Sequence, residues 1–231
     1  MCIENVLDIQ IIFVLIVLRF KFSILSCITF NLFIASSCMI KNKFHLYFIT
    51  EKLEELNLDY VKKTGAILIL RNPEKFKQND LKKFSNECNK RNIGLFISND
   101  IKTLFLLRSN KFYISAYNKK QFKHLKKINP NIEIIGSAHN VPEINEKIRQ
   151  GCDYIVLSRV FETSSKYKKG HLGTMKFNLL TRNFSKKFIA LGGLNEKNFR
   201  KINILNIHGC ALSGDKKKAG KYMPAFLKNN V

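Results

Sequence analysis

Residues 151–173 read GCDYIVLSRVFETSSKYKKGHLG, and this stretch passes from a buried strand into a long polar loop. The run at 154–157 is apolar throughout, as expected of a parallel strand that is covered on both faces. The loop carries hydroxyl and ammonium groups ahead of two glycines, namely Thr163, Ser164, Ser165, Lys166, Lys168 and Lys169. Groups of this kind beyond the carboxyl end of a buried strand predict a site for an anionic ligand.

From residue 39 onward the chain repeats a pattern of strand and helix. Apolar runs predict eight strands, at 46–50, 66–70, 94–98, 112–115, 133–138, 154–157, 188–191 and 210–212. Helical spacing and capping residues predict helices at 53–63, 79–91, 101–108, 118–128, 140–150, 174–183, from 195 onward and at 215–227. Each unit takes about 24 residues, enough for the crossover that joins two parallel strands.

This alternation predicts an α/β protein with one lean TIM (β/α)8 barrel over residues 39–231. A doubly wound open sheet accepts the same order of elements. Such sheets bind nucleotides at a Gly-rich turn after the first strand, and no such turn follows residues 46–50. The barrel is therefore the preferred fold, and its ligand site is expected at the carboxyl ends of the strands.

The first 38 residues form a separate apolar N-terminal extension. Its two apolar runs, 6–18 and 22–35, are each short for a membrane span of about 20 residues. Its charges cancel, and they are Glu4, Asp8, Arg19 and Lys21. Three interpretations stay open: a membrane anchor, a loosely packed extension, and upstream sequence translated from a misplaced start ahead of Met39. We expect a cytoplasmic protein, or a membrane-anchored one if this segment is a genuine anchor.

Lysine and arginine number 40 against 17 acidic residues, which gives a formal net charge of +23. An excess of this size suits a nucleic-acid or anionic-membrane partner. The lysines, however, are spread along the chain, and abundant Lys, Asn, Ile and Phe indicate an AT-rich coding sequence. No specific nucleic-acid partner is predicted, and only weak nonspecific binding of polyanions follows from the charge.

The cysteines form no CxxC pair and no cysteine–histidine spacing of the zinc type. They are Cys2, Cys27, Cys38, Cys88, Cys152 and Cys210. The first three lie in the apolar extension, and the others adjoin predicted helices or strands. We expect reduced thiols in a reducing compartment and no metal site built from cysteine.

Glycines at the ends of the last two strands predict a phosphate site. Gly192 and Gly193 follow the seventh strand, and Ser213 and Gly214 follow the eighth. Barrels of this kind commonly hold phosphate after these two strands, where glycines let it approach backbone N–H groups and helix N-termini. Tight turns without a ligand explain the same residues, so both interpretations are kept.

Polar side chains at other strand ends point to the same edge of the barrel. Arg71 follows the second strand and Asn99 follows the third. Asp100 suits Mg²⁺ and equally suits the N-cap of the next helix. His139, after the fifth strand, is either a general base or a loop histidine bonded to backbone. Lys166 is either a clamp for pyrophosphate or a solvated loop lysine.

Several of these stretches resemble thiamine-phosphate synthases and the related TenI-type thiazole tautomerases. The run GCDYIVLSRVFETSSK is similar to the family pattern G-A-D-Y-x-x-x-G-P-V-F-x-T-x-T-K. Shorter runs extend the match, and they are HLYFIT at 45–50, LILR at 68–71, ISND at 97–100, GSAHN at 136–140, LG at 172–173 and ALGGL at 190–194. The resemblance covers residues 44–227 and is strongest over 136–194.

The resemblance implies a barrel that joins hydroxymethylpyrimidine diphosphate to thiazole phosphate in thiamine biosynthesis and releases pyrophosphate. Such an enzyme must hold and neutralise the leaving pyrophosphate while a pyrimidine carbocation forms. By family position, pyrophosphate contacts are implied for Arg71, Asn99 and Lys166, and a Mg²⁺ contact for Asp100. The resemblance also implies that Thr163 and Ser165 contact the thiazole end and that Gly193 and Ser213 contact its phosphate. Further substrate-binding residues predicted at the strand ends are Ser137, Gly192 and Gly214.

The chain departs from the family pattern at residues that bear on catalysis. Where the family has Gln-x-Arg-x-Lys, this chain has Ile69, Arg71 and Pro73, so the glutamine and the lysine are missing. Lys119 replaces the family's acidic metal ligand after the fourth strand, and Ser158-Arg159 replaces Gly-Pro. One carboxylate in place of two predicts weaker Mg²⁺ binding, unless Lys119 supplies part of the charge.

Three functions stay open on this basis. The first is a thiamine-phosphate synthase, divergent or impaired, that acts on phosphorylated small molecules with Mg²⁺. The second is a thiazole tautomerase-like isomerase, which needs a base such as His139 and a phosphate site but no metal. The third is a barrel that binds phosphorylated ligands without catalysis. The oligomeric state is also open, and a homo-oligomer is one option.

Overall fold

The computed structural model describes residues 44–54, 56–163, 170–195 and 197–213. Eight parallel strands form a closed barrel in chain order, and the eighth strand pairs with the first. The barrel predicted from the alternation of elements is therefore confirmed. The strands are β1 His45–Thr50, β2 Ile67–Leu70, β3 Leu95–Ser98, β4 Lys111–Ile114, β5 Glu133–Ala138, β6 Tyr154–Ser158, β7 Lys187–Leu191 and β8 Gly209–Ser213.

Helices connect the strands. They are α1 Leu58–Thr64, α2 Gln78–Lys90, α3 Ile101–Leu106, α4 Leu125–Ile128, α5 Val141–Arg149 and α6 Gly173–Thr181, with 3₁₀ helices at Pro73–Lys75 and Phe199–Ile204. No helix in the described ranges is long and apolar enough to cross a membrane. The predicted N-terminal extension, the predicted final helix, Ser165, Lys166 and Gly214 lie outside the described residues.

Polar side chains account for helices that begin later than predicted. Asn57 caps α1 by accepting a hydrogen bond from the Tyr60 N–H at 3.0 Å, so this helix begins at Leu58 and not at residue 53. Asn195 accepts from the N–H groups of Lys197 and Asn198, which forms a polar turn where a helix was predicted. A 3₁₀ helix follows from Phe199.

The helix predicted over 118–128 is reduced to α4, and its first seven residues are not helical. The carbonyl oxygen of Asn118 accepts hydrogen bonds from Lys147 Nζ at 2.8 Å and from Gln150 Nε2 at 2.9 Å. Both lone pairs of this oxygen are thus used by side chains of another element. An N-cap carbonyl accepts a hydrogen bond from an N–H of the first helical turn, and here that bond therefore cannot form.

Alternate side chains of the strands fill the inside of the barrel with apolar groups. The buried members of this interior are Tyr47, Ile49, Ile69, Phe96, Tyr113, Ile135, Val156, Ile189 and Ala211. The opposite faces of the strands pack against the helices in a larger cluster, which includes Leu68, Ile97 and Phe112. Because the interior is filled by side chains, a ligand is expected at one end of the barrel.

An aromatic stack lies at the amino-terminal end of the barrel. The ring of His208 lies between those of His45 and Tyr154, with centroids 4.4 Å and 4.5 Å away. Burial, followed by the charges of His45 and Lys187, lowers the pKa of His208 to about 4, and Glu133 opposes this shift. The stack is a stability feature, since this end of such barrels carries no catalysis.

We expect His208→Phe to flatten the pH dependence of stability. As pH falls through 6.5, His208 binds a proton in the unfolded chain, whereas in the folded chain it binds one only near its lowered pKa of about 4. Wild type should therefore lose about 2 kcal/mol more unfolding free energy than His208→Phe between about pH 7 and pH 4.5, after allowance for partial solvent screening. Urea unfolding at both pH values measures this difference.

His171→Phe is the matched control, because His171 is exposed. Its unfolding free energy should follow the wild-type slope with pH. Equal slopes for wild type and His208→Phe would contradict the assignment.

Candidate active site

A polar layer continues the apolar interior at the carboxyl-terminal end of the barrel. Side chains two residues apart on a strand point to the same side, so the next inward positions can be counted from the interior. These positions are Glu51, Arg71, Ser98, Ser115, Ser137, Ser158, Leu191 and Ser213, and we call all of them except Leu191 the polar layer. Sequence reasoning missed Ser98, Ser115 and Ser158 as site residues, although counting by two along the strands would have found them.

The polar layer lies against the interior beneath it. The Oγ atoms of Ser98 and Ser115 lie 3.5 Å apart. Burial raises the pKa of Tyr113, while the Ser137 side chain and then the charge of Arg71 oppose the rise. The layer thus combines neutral hydroxyl groups with one guanidinium and one exposed carboxylate, Glu51, that is paired with it. The guanidinium and the hydroxyl groups suit an anionic ligand that takes the place of Glu51.

Arg71 is the cation of this layer, and its side chain is 37% exposed. Its backbone N–H bonds to the Thr50 carbonyl at 2.8 Å, which fixes the base of the side chain between β1 and β2. Its guanidinium lies 3.3 Å from Glu51, which is 54% exposed. Exposed pairs of this kind contribute about 0–1 kcal/mol, so a phosphate could readily replace Glu51 as the partner.

Asn99, the predicted pyrophosphate contact after β3, has φ 59° in the left-handed region. Its Nδ2 donates to Ser115 Oγ at 2.7 Å and to Tyr117 Oη at 3.1 Å. Its Oδ1 accepts from the Ser115 N–H and from Asn118 Nδ2, both at 3.0 Å. The amide is therefore fully used in joining β3 to the loop after β4. A ligand would contact Asn99 by replacing one of these bonds.

Asp100 caps α3. Its Oδ1 accepts from the Lys102 N–H at 2.9 Å and its Oδ2 from the Thr103 hydroxyl at 2.6 Å. Among the described residues, no group of three or more His, Cys, Asp or Glu side chains is arranged to hold a metal ion. Lys119, where the family pattern has a carboxylate, is exposed. The N-cap role that the sequence left open for Asp100 is the one seen here.

His139 lies directly after β5, and its ring is tied to the polar layer. Its Nδ1 lies 2.8 Å from Ser158 Oγ and 3.3 Å from the Ser158 carbonyl oxygen. Its backbone N–H donates to Glu143 Oε2 at 2.8 Å. Asn140 caps α5 by accepting from the Glu143 N–H. The ring is thus oriented through Nδ1, which leaves Nε2 for a substrate.

The turn after β7 meets the segment after β6. The N–H groups of Val160 and Phe161 donate to the carbonyls of Leu191 and Gly192, both at 3.0 Å. Gly193 has φ 69°, and a Cβ on it would lie 2.2 Å from the Glu162 carbonyl oxygen. Only glycine fits this turn. Of the three turns predicted to meet at one mouth, those after β6 and β7 are thus in contact, and the turn after β8 lies outside the described residues beyond Ser213.

Two further predicted site residues, Ser213 and Thr163, lie within the described ranges. Ser213 is exposed at the end of β8, in register with Ile49. Thr163 is half-buried at the edge of the described chain. The closed barrel brings four predicted residues to the same end as His139 and the turn at Gly192 and Gly193, and they are Arg71, Ser137, Thr163 and Ser213.

The cysteines within the described ranges are buried free thiols, namely Cys88, Cys152 and Cys210. Burial raises the pKa of Cys88 and of Cys152 to about 12, and it raises that of Cys210 as well. Thiols of this kind are poor nucleophiles at neutral pH. None of the three takes part in the candidate site.

Comparison with known proteins shows which family this chain belongs to. The family profile described as "Thiamine monophosphate synthase" (TMP-TENI) matches residues 46–215, which is most of the chain. The chain belongs to the thiamine monophosphate synthase family. A thiamine-phosphate synthase of Prochlorococcus marinus subsp. pastoris (strain MED4) is 30% identical over 185 residues, 76% of this chain and 50% of that protein. One of Methanococcus vannielii is 22% identical over 74% of this chain and 86% of its own length.

The chain thus spans about half the length of its Prochlorococcus relative. Among solved structures, thiamine phosphate pyrophosphorylase from Pyrococcus furiosus superposes with a TM-score of 0.62 at 18% identity, covering 82% of this chain and 98% of that one. Phosphoribosyl anthranilate isomerase from Thermotoga maritima gives 0.58 at 15% identity, covering 81% and 98%. At these identities the structures show the barrel fold alone, and the family assignment rests on the sequence matches.

Proposed function

We propose that this chain joins hydroxymethylpyrimidine diphosphate to thiazole phosphate, with release of pyrophosphate, as a divergent thiamine-phosphate synthase. The observation that carries the proposal is the polar layer at the mouth of a barrel of this family. This end of the barrel offers the Arg71 guanidinium with its exposed partner Glu51, four buried serine hydroxyls and a glycine turn. These groups suit two phosphorylated substrates that must meet at one place.

In the proposed reaction, the bond between the pyrimidine methylene carbon and the diphosphate oxygen breaks. The electron pair leaves with pyrophosphate, and the thiazole nitrogen gives its lone pair to form the new C–N bond. Arg71 stabilises the charge that develops on pyrophosphate. The turn at Gly192 and Gly193 is assigned to the thiazole phosphate, which glycine backbones allow to approach closely.

Mg²⁺ is a proposed component whose protein ligands are few. Asp100 is the carboxylate at the family's metal position, and both of its oxygens already accept hydrogen bonds. The described residues by themselves do not build a site for a resident ion. Mg²⁺ accompanying the diphosphate would be held chiefly by the substrate's own oxygens and by water.

The test is formation of thiamine phosphate by the purified chain from the two precursors, with pyrophosphate measured in parallel. One pyrophosphate per thiamine phosphate is the expected stoichiometry. Tight binding of thiamine phosphate without turnover would replace the proposal with a non-catalytic binder. Neither binding nor turnover would refute the proposed function.

A thiazole tautomerase-like isomerisation is the second candidate, and the contact of His139 Nδ1 with Ser158 Oγ favours it. General base catalysis by an oriented histidine contributes about 100-fold or more. If this function holds, His139→Gln should lower isomerisation by about that factor and leave thiamine phosphate formation within about threefold of wild type. Product analysis of both reactions measures this, and unchanged isomerisation in His139→Gln would exclude the histidine as the base.

A further inference from the structure

The end of α5 carries a lysine and a glutamine that are completely buried. Lys147 and its neighbour Gln150 are each 0% exposed. A buried ammonium is costly unless acceptors surround it. The Nζ of Lys147 has three acceptors, the carbonyl oxygens of Ser115 and Asn118 at 2.8 Å and Gln150 Oε1 at 2.9 Å. All three of its N–H bonds are therefore used for structure, which leaves none for a substrate.

Gln150 holds the same loop at two points. Its Nε2 donates to the carbonyl oxygens of Asn118 and Lys120, both at 2.9 Å. Residues 115–120, which we call the β4 loop, thus have three of their carbonyls satisfied by two side chains, Lys147 of α5 and Gln150 at its C-cap. Carbonyls next to a buried surface need such donors, because water cannot supply them there.

Gly136 of β5 leaves space for the Lys147 side chain. A Cβ on Gly136 of β5 would lie 2.9 Å from both Cγ and Cδ of Lys147, and 2.6 Å from Cys152 Sγ. Any side chain at this position would therefore displace the lysine stem. Burial lowers the pKa of Lys147, and the groups at Cys152, Glu146 and Glu143 oppose this shift.

The β4 loop in turn holds the predicted pyrophosphate contact. Asn118 Nδ2 donates to Asn99 Oδ1 at 3.0 Å, and Asn99 Nδ2 donates to Ser115 Oγ at 2.7 Å. The backbone carbonyls of Asn118 and Ser115 are the two that Lys147 binds. A continuous set of hydrogen bonds therefore runs from the buried ammonium to the end of β3.

We propose that Lys147 and Gln150 are positioning residues that fix the β4 loop, and through it the Asn99 side chain, and so set the affinity of the barrel mouth for pyrophosphate. The affinity step rests on the proposed function, whereas the anchoring of the loop does not. Lys147 acts through the loop and contacts no reacting atom.

Hydrogen exchange tests the anchoring step. Lys147→Met keeps the length of the side chain and removes its donors. Amides of residues 115–120 should exchange at least about tenfold faster relative to those of α2. Leu81→Ala is the control. Leu81 is buried in α2, so this substitution removes core packing at a place away from the β4 loop. It should leave the β4 loop within about twofold of wild type after correction for global stability. Unchanged exchange of the loop in Lys147→Met would overturn the proposal.

Calorimetry with inorganic pyrophosphate tests the affinity step. Lys147→Met should bind it at least about tenfold more weakly, and Leu81→Ala within about twofold of wild type, because small misplacements of ligand groups are costly. Equal affinity for wild type and Lys147→Met would overturn this step. A wild-type chain that binds no pyrophosphate would overturn it together with the proposed function, while the exchange result would still decide the anchoring.

Asn118→Ala keeps the test available if Lys147→Met does not fold. It preserves the carbonyl contacts of the loop with Lys147 and Gln150. It removes two side-chain bonds, the one that Asn118 donates to Asn99 and the one that it accepts from the Lys120 N–H. Pyrophosphate affinity should fall by about threefold, the value of one hydrogen bond. A second measure is the double variant Lys147→Met, Gln150→Leu. The pyrophosphate-binding free energy that this double variant loses should be smaller than the sum of the losses in the two single variants, since both side chains bind the Asn118 carbonyl. Strict additivity would contradict a shared anchor.

Discussion

Arg71→Met is expected to lower kcat/KM for thiamine phosphate formation by about 100-fold, the usual loss when one group that stabilises developing charge is removed. The guanidinium belongs to the polar layer and lies near the buried Tyr113. Its ion pair with Glu51 is exposed, so the fold does not depend on it. The loss should therefore appear in kinetics, with an unfolding midpoint close to that of wild type.

Two further variants separate charge from geometry at this position. Arg71→Lys should recover part of the activity, because it keeps the charge and loses the planar fork of donors. Arg149→Met is the control, since Arg149 is an exposed residue of α5 that pairs with Glu146. It should leave kcat/KM unchanged. Activity of Arg71→Met within about threefold of wild type would remove Arg71 from the proposed mechanism.

Gly193→Ala is expected to cost about 3 kcal/mol of unfolding free energy, the upper range for overpacking a well-packed site. The new methyl group would lie 2.2 Å from the Glu162 carbonyl oxygen and 2.4 Å from that of Phe161. Both neighbours are backbone atoms, so the segment after β6 must shift. Because that segment forms part of the mouth, affinity for thiazole phosphate should fall in the same variant.

Gly65→Ala is the matched control for this change. Gly65 has φ 63°, close to the 69° of Gly193, but a Cβ on it meets no atom within 4 Å. The control carries the strain of the left-handed backbone alone, about 1 kcal/mol. Urea unfolding of both variants isolates the contribution of the close approach. Equal losses of unfolding free energy in the two variants would contradict a close approach at Gly193 that costs stability.

The alternation of strands and helices was sufficient to predict the barrel, because each strand is a short apolar run between polar segments. The caps at Asn140 and Asp100 followed from their residue types, since short polar side chains satisfy the free N–H groups of the next helix. The meeting of the turns after β6 and β7 followed from the barrel itself. These features depend on local sequence or on the closure of the sheet.

Features that depend on long-range contacts were harder to predict. Asn118 has the residue type of an N-cap, yet its carbonyl accepts hydrogen bonds from Lys147 and Gln150, which lie 29 and 32 residues further along the chain, so no helix begins there. Lys147 lies three residues after the buried Ile144, which places it on the apolar face of α5. That spacing was a usable signal. The space beneath Gly136 and the acceptors of the β4 loop could be known only from the fold.

The most direct test of the account is a crystal structure of this chain with pyrophosphate and thiamine phosphate bound. The account predicts pyrophosphate at the carboxyl-terminal mouth, with an oxygen about 3 Å from the Arg71 guanidinium, and the thiazole phosphate at the turn formed by Gly192 and Gly193. Ligand bound at the amino-terminal end beside His208, or no ligand at concentrations that saturate binding in solution, would contradict it.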